Sequence, residues 1–127
     1  MNIYNQKFCK SILFLGLAGL SNFAMAGGFS GSCSGLYING GWLGANCGDG
    51  HGGSRWTGID LNRFLGNIHG NFSWNSGGFT GSARNCGLSQ DGILWCQLGD
   101  GHGGWPERYI NLNDRITNSW GNMVYDR

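Results

Sequence analysis

An internal repeat constrains this chain more than any other feature of it. Ile59-Asp60-Leu61-Asn62 returns as Ile110-Asn111-Leu112-Asn113, and Gly48-Asp49-Gly50-His51-Gly52-Gly53 returns as Gly99-Asp100-Gly101-His102-Gly103-Gly104. Asn67-Ile68-His69-Gly70-Asn71 returns as Asn118-Ser119-Trp120-Gly121-Asn122, and Trp74 returns as Tyr125. Every pair lies 51 residues apart, the distance from Ile59 to Ile110. Two copies are too few for a solenoid, in which each unit buries its core against a stack of neighbours. They suit one small pseudo-symmetric domain with two related surface sites. The copies divide the chain at about residues 27–76 and 77–127.

Residues 1–26 stand outside the repeat. Lys7 and Lys10 precede a short apolar run, Ile12 to Leu20, and Ala24-Met25-Ala26 has the A-x-A form of a leader cleavage site. The run is too short to span a bilayer. We read residues 1–26 as a secretory signal peptide cut before Gly27, which makes the mature chain secreted or periplasmic and leaves it without a membrane span. Taking Lys7 and Lys10 from the 8 basic residues leaves six arginines against 7 acids. Such a chain has no basic field for phosphates, which argues against nucleic acid as a partner.

Four cysteines remain after Cys9 leaves with the signal: Cys33, Cys47, Cys86 and Cys96. An even number in a small exported chain reads as two disulfides, with three possible connectivities. A three-residue loop at Asn39-Gly40-Gly41 places residue 33 opposite 47, and the same loop length at Gln90-Asp91-Gly92 places 86 opposite 96. Directly opposed antiparallel residues lie within disulfide range, so Cys33–Cys47 and Cys86–Cys96 are the preferred pairs. A zinc site lacks any C-x-x-C spacing.

Short runs of strand character alternate with glycine-rich breaks. Leu36–Ile38, Trp42–Cys47, Asn71–Trp74, Ile93–Cys96 and Asn122–Tyr125 read as strands, with Leu43, Ala45 and Cys47 on one face. The segments around Trp56 and Tyr109 are further strand candidates. Asp60–Leu65 and Asn111–Ile116 hold the only helix-like spacing, each behind an Asp or Asn able to cap a turn, which predicts one short helical turn per repeat. About one residue in four of the mature chain is glycine, without the three-residue period of collagen. The 6 tryptophans argue against simple disorder. The class is all-β, with hairpins and short helical turns.

The ordered pattern Phe29-Ser30, Cys33, Cys47, Ile59-Asp60-Leu61-Asn62, Asn67-Ile68, Gly70, Trp74, Phe79, Arg84-Asn85, Cys96, Ile110-Asn111-Leu112-Asn113-Asp114, Ile116, Asn118, Gly121 and Tyr125 resembles the cyanovirin-N homologues over essentially the whole mature chain. The resemblance implies two pseudo-symmetric halves. Each has a three-stranded sheet and a hairpin, with strands exchanged between the repeats. It implies a lectin for mannose-rich glycans with one site at each end. The first site falls on Ser30, Gly31, Ser32, Gly48, Asp49, Gly50, His51, Asn118, Ser119 and Trp120. The second falls on Asn67, His69, Asn75, Gly78, Ser82, Gln97, Asp100 and His102. Asn67 and Asn118 match the family's sugar-contacting asparagines. The chain departs from the family in three ways. Ala83 stands at the usual third cysteine, with Cys86 three residues later. Gly31, Gly48, Gly66 and Gly81 replace larger polar side chains. The hinge between repeats, Asn75-Ser76, lacks a proline. The copies also differ from each other, since His69 in one is Trp120 in the other.

The residue types suit a sugar binder. Asparagine both donates and accepts, glycine loops let backbone groups approach a ligand, and an aromatic face meets apolar C–H groups. The same Asp-Gly pairs also read as plain hairpin turns. A metal reading of Asp49/His51 and Asp100/His102 gives only two ligands per loop, too few for a coordination shell. No Ser or Cys nucleophile is visibly paired with His69, and nothing brings two carboxylates to glycosidase spacing. We therefore expect a lectin with glycan or glycoprotein partners and no cofactor, metal or enzymatic activity. The alternative is a secreted structural or protein-interaction domain that kept the fold and lost the sugar sites. A monomer is favoured, and a dimer swapped across Asn75-Ser76 is the competing state.

Overall fold

A computed structural model describes residues 27–127; the signal-peptide reading of residues 1–26 lies outside them. Ten strands run through the described residues. They are β1 (Cys33–Asn39), β2 (Trp42–Gly48), β3 (Ser54–Asp60), β4 (Leu65–Ile68), β5 (Asn71–Trp74), β6 (Ala83–Leu88), β7 (Ile93–Leu98), β8 (Glu107–Asn111), β9 (Ile116–Ser119) and β10 (Asn122–Tyr125). They form two three-stranded antiparallel sheets, β1-β2-β3 and β6-β7-β8, and two hairpins, β4-β5 and β9-β10. The hairpins are exchanged between the repeats. The β9-β10 hairpin packs on β3, where the Met123 N–H donates to Thr57 Oγ1 at 3.4 Å. The β4-β5 hairpin packs on β8, where Arg108 Nε donates to Asn71 Oδ1 at 3.1 Å. Each half of the molecule is thus built from both copies.

The core is the repeat seen in three dimensions. Leu43 and Leu94, Leu61 and Leu112, Leu65 and Ile116, and Phe29 and Phe79 are all fully buried. Each contributes roughly 2 kcal/mol by leaving water. Leu43, Ala45 and Cys47 share the buried face of β2, as their alternation requires. Trp74 and Tyr125 pack beside the core, and the Phe64 ring stacks on Tyr125 at 4.2 Å.

Short 3₁₀ turns punctuate the strands. Leu61–Arg63 and Leu112–Asp114 are capped as the sequence requires: Asp60 Oδ1 accepts from the Asn62 N–H, and Asn111 Oδ1 accepts from the Asn113 N–H, both at 3.0 Å. There are two such turns per repeat rather than the one expected, because Phe29–Gly31 and Phe79–Ser82 form another pair. Those two enter through a left-handed glycine, Gly28 or Gly78, and no side chain caps them, so no capping signal marks them.

Both disulfides form as expected, Cys33–Cys47 and Cys86–Cys96. The hairpin register that produces the first is different. The β1-β2 turn has two residues, Gly40-Gly41, since Asn39 pairs with Trp42. A bulge between Ser34 and Tyr37 then restores Cys33 opposite Cys47. In the second hairpin the three-residue loop holds, with the Ser89 N–H donating to the Ile93 carbonyl at 2.9 Å, and the bulge falls between Arg84 and Gly87. Gly35 and Asn85 take the left-handed conformation inside the two bulges. Cys86 therefore sits within a bulge, while Ala83 faces Leu98 where the first half carries its cysteine pair. The second disulfide has moved one step toward the turn.

Candidate functional site

Two frames of the same construction lie at the two exchanged junctions. The β4-β5 turn is His69-Gly70 and the β9-β10 turn is Trp120-Gly121, with φ of 54° and 85° in the first and 54° and 91° in the second. Positive φ at both central residues is the two-residue turn that matches strand twist. Glycine suits it; His69 and Trp120 occupy a left-handed conformation that L side chains rarely adopt. An asparagine holds each turn. Asn67 Oδ1 accepts from the Gly70 N–H, and Asn118 Oδ1 accepts from the Gly121 N–H, both at 2.8 Å.

The same asparagines tie in the neighbouring loops. Asn67 Nδ2 donates to Ser82 Oγ at 2.7 Å and to the Gly99 carbonyl at 2.8 Å. Asn118 Nδ2 donates to Ser32 Oγ and to the Gly48 carbonyl, both at 2.9 Å. Each amide is thereby committed at both ends inside the protein. These side chains organise the site: one asparagine locks a hairpin turn, a serine and a glycine loop into one surface.

The glycine loops are built alike. Asp49 Oδ1 accepts from the N–H groups of His51 at 2.7 Å and Gly53 at 3.1 Å; Asp100 Oδ1 accepts from those of His102 at 2.7 Å and Gly104 at 3.0 Å. These bonds, His51 before Gly53 and His102 before Gly104, hold both carboxyls below the usual carboxylate range. The carboxylates thus order the loops. Among the described residues no three His, Cys, Asp or Glu side chains come together.

The two frames differ in what fills them. In the half built on Asn67, an open groove of about 450 Å³ is lined by Asn67, Ile68, His69, Gly81, Ser82, Gly99, Asp100, Gly101 and Trp105. Trp105 forms one wall, and the Arg84 guanidinium lies over its ring at 4.0 Å. Gly81 has nothing within 4 Å of where a Cβ would stand, so this wall is empty of side chain. In the half built on Asn118, Trp120 is 68% exposed and stacks on His51 at 5.5 Å. That ring lies over Gly50, where a Cβ would stand 2.5 Å from it.

Of the residues read as sites from the sequence, Asn67, His69, Ser82 and Asp100 meet in the groove. Ser32, Gly48, Asp49, Gly50, His51, Asn118 and Trp120 meet at the other end, with Ser119 exposed on β9 beside them. Ser30 is engaged elsewhere, its Oγ donating to the Asp91 carbonyl at 3.1 Å and its N–H to Asn113 Oδ1 at 2.9 Å; its neighbour Gly31 ends the same 3₁₀ turn. Asn75 bonds the Tyr125 hydroxyl, Gly78 caps a 3₁₀ turn, Gln97 accepts from Asn85, and His102 stays at an exposed loop tip; none of these four lines the groove. Trp105, which does line it, is not among the residues the sequence assigns to the site. A signal existed for Trp105. At the 51-residue offset its counterpart is Ser54, so this tryptophan breaks the repeat just as Trp120 breaks it against His69.

Fold and frame together define a small two-repeat, disulfide-bonded β domain with a loop-lined surface at each end. The sequence matches the CVNH domain over residues 29–124, and the chain belongs to that family. Among solved structures it is similar to a MoCVNH3 variant in complex with (N-GlcNAc)4, at 26% identity and a TM-score of 0.75, covering 79% of this chain and 97% of that one. It is also similar to the Gibberella zeae CVNH, at 31% identity, a TM-score of 0.68, and 78% and 97% coverage. Microvirin in complex with mannobiose is similar at 25% identity, a TM-score of 0.69, and 80% and 99% coverage. Among the described residues no helix is long and apolar enough to cross a membrane.

Proposed function

We propose that this protein is a carbohydrate-binding lectin whose main site is the groove between Asn67 and Trp105. The observation that carries this reading is the groove's construction: backbone polar groups and the Ser82 hydroxyl are fixed in place by one asparagine beside an indole wall. A pyranose offers both hydroxyls and an apolar face, and this surface answers both. The bound (N-GlcNAc)4 and mannobiose of the similar structures support a glycan ligand of this general class. Mannose-rich glycans are the ligand we favour. The Trp120–His51 face is a second, shallower site that adds to capture of branched glycans through effective concentration. Secretion or export to the periplasm brings the protein to such glycans. Calorimetric titration of a mannose-rich oligosaccharide and of a GlcNAc oligomer tests the proposal. Saturable binding of either is expected, with the groove's share of it lost in Trp105→Ala. Binding of neither glycan overturns the lectin reading, and binding unaffected by Trp105→Ala overturns the placement of the site.

A further inference from the structure

The ends of the described domain meet in a way that the repeat explains. In the first copy the chain runs on through Ser76-Gly77-Gly78. The Ser76 N–H donates to the Phe64 carbonyl at 3.0 Å, and the Gly78 N–H donates to the Asn62 carbonyl at 2.8 Å. The second copy makes the same two bonds with residues from opposite ends of the domain. The Asp126 N–H donates to the Arg115 carbonyl at 2.7 Å, and the Gly28 N–H donates to the Asn113 carbonyl at 2.7 Å. Arg115 and Asn113 are the repeat partners of Phe64 and Asn62. Asp126 therefore stands in the place of Ser76 and Gly27 in the place of Gly77. Where the first copy has a peptide bond, the second has a junction between side chain and backbone nitrogen.

That junction is polar and charged. Gly27 is buried, with its nitrogen 2.6 Å from Thr117 Oγ1 and 2.9 Å from Asp126 Oδ2. The Thr117 hydroxyl donates to the same carboxylate oxygen. A peptide nitrogen has one hydrogen for these two acceptors, whereas an ammonium has three. Among the described residues Asp126 is the charged side chain bonded to this nitrogen, and the 112–114 turn presents the Asn113 carbonyl. A Cβ on Gly27 would lie 1.8 Å from that carbonyl oxygen, so the position takes only glycine.

We propose that cleavage after Ala26 creates the group this pocket holds: the α-ammonium of Gly27, ion-paired with Asp126 and bonded to Thr117. Water, with a leader peptidase as catalyst, hydrolyses the Ala26–Gly27 amide. Ala26 departs with the leader as a carboxylate, and the Gly27 nitrogen takes up protons to become the ammonium. A charge-assisted bond then closes the pseudo-symmetric ring where the first copy is covalent. The inference rests on the leader reading of residues 1–26 and is independent of glycan binding.

The mature chain supplies its own probe. Lys7 and Lys10 are the lysines of this sequence, so residues 27–127 carry a single primary amine, the α-amine itself. The full chain is expressed for export, and the exported product is read by intact mass and N-terminal sequencing. Its acetylation rate at pH 8 is then measured folded and in denaturant. The product is expected to begin at Gly27. The folded amine should acetylate about fivefold more slowly than the unfolded one, because the neighbouring carboxylate favours the unreactive ammonium. Asp126→Asn should remove this protection, and Thr117→Val, which keeps the carboxylate, should remove part of it and carries the test if Asp126→Asn does not fold. A product that begins elsewhere, or a folded amine as reactive as the unfolded one, overturns the proposal. So does protection unchanged in a folded Asp126→Asn protein.

Discussion

Asn67→Ala tests the claim that one amide builds the groove. The side chain makes three bonds of 2.7 to 2.8 Å, to Ser82 Oγ, the Gly99 carbonyl and the Gly70 N–H. At about 1 kcal/mol net for each bond, the sum is near 3 kcal/mol. The residue is only half-buried, and water replaces part of what is lost. We therefore expect about 2 kcal/mol of destabilisation, read in urea as a midpoint lower by roughly 1 M. The loops should also separate, so affinity at the groove should fall about tenfold or more, equivalent to about 1.4 kcal/mol. Asn67→Asp sharpens the test. Its carboxylate still accepts from Gly70 but turns a second oxygen toward the Gly99 carbonyl, which raises its folded pKa. The protonated form is then the stable one, so the penalty shrinks as pH falls and returns as pH rises through the folded pKa. Stability of Asn67→Ala within about 0.5 kcal/mol of the parent would refute the organising role.

Three further outcomes are expected. Non-reduced peptide mapping should return Cys33–Cys47 and Cys86–Cys96, and titration with reductant should open the second first, because Cys86 is exposed and Cys33 half-buried while Cys47 and Cys96 are both fully buried. The carboxyls of Asp49 and Asp100 are held below their usual range by N–H groups, so the order they give the loops is present above the unfolded pKa and lost as pH falls through the folded one. The amide resonances of His51, Gly53, His102 and Gly104 should report that loss together; resonances that do not move would contradict it. Light scattering at moderate concentration should show a monomer, since Ser76 and Gly78 bond back to Phe64 and Asn62 at the hinge and Asn75 bonds the Tyr125 hydroxyl. A population that is dimeric throughout would contradict this.

Much of the molecule was legible because the repeat carries it. The core pairs, the capped 3₁₀ turns at Asp60 and Asn111 and the two-ended arrangement follow from residues that recur at nearly one spacing, and both disulfides follow from the lengths of the hairpin loops. Strands β4 and β9 did not show. Leu65 and Ile116 fall at helical spacing from Leu61 and Leu112, and the turns that make them strands place His69 and Trp120 in a conformation that no turn rule assigns to those residues. The bulges were equally silent, because a left-handed Asn85 or Gly35 leaves no periodic trace. At the groove, the asparagines were visible but their task was not. A side chain that both donates and accepts serves a sugar or a loop equally well, and only the distances to Ser82 and Gly99 show where its hydrogen bonds go.

The exchanged hairpins give the two halves different histories during synthesis. The half with the open groove uses β4 through β8, residues 65–111, a single contiguous stretch. It has every strand it needs before the end of the domain has emerged. The other half combines β1 to β3 with β9 and β10, so Leu43, Ala45 and Cys47 wait for Ile116–Tyr125 before their sheet is covered. Its contacts close the longest loop in the molecule, and closing long loops is what slows folding. A chain emerging from its amino end thus assembles the Asn67 groove first. The Trp120–His51 face, and the junction of Gly27 with Asp126, are completed only when the last strand arrives.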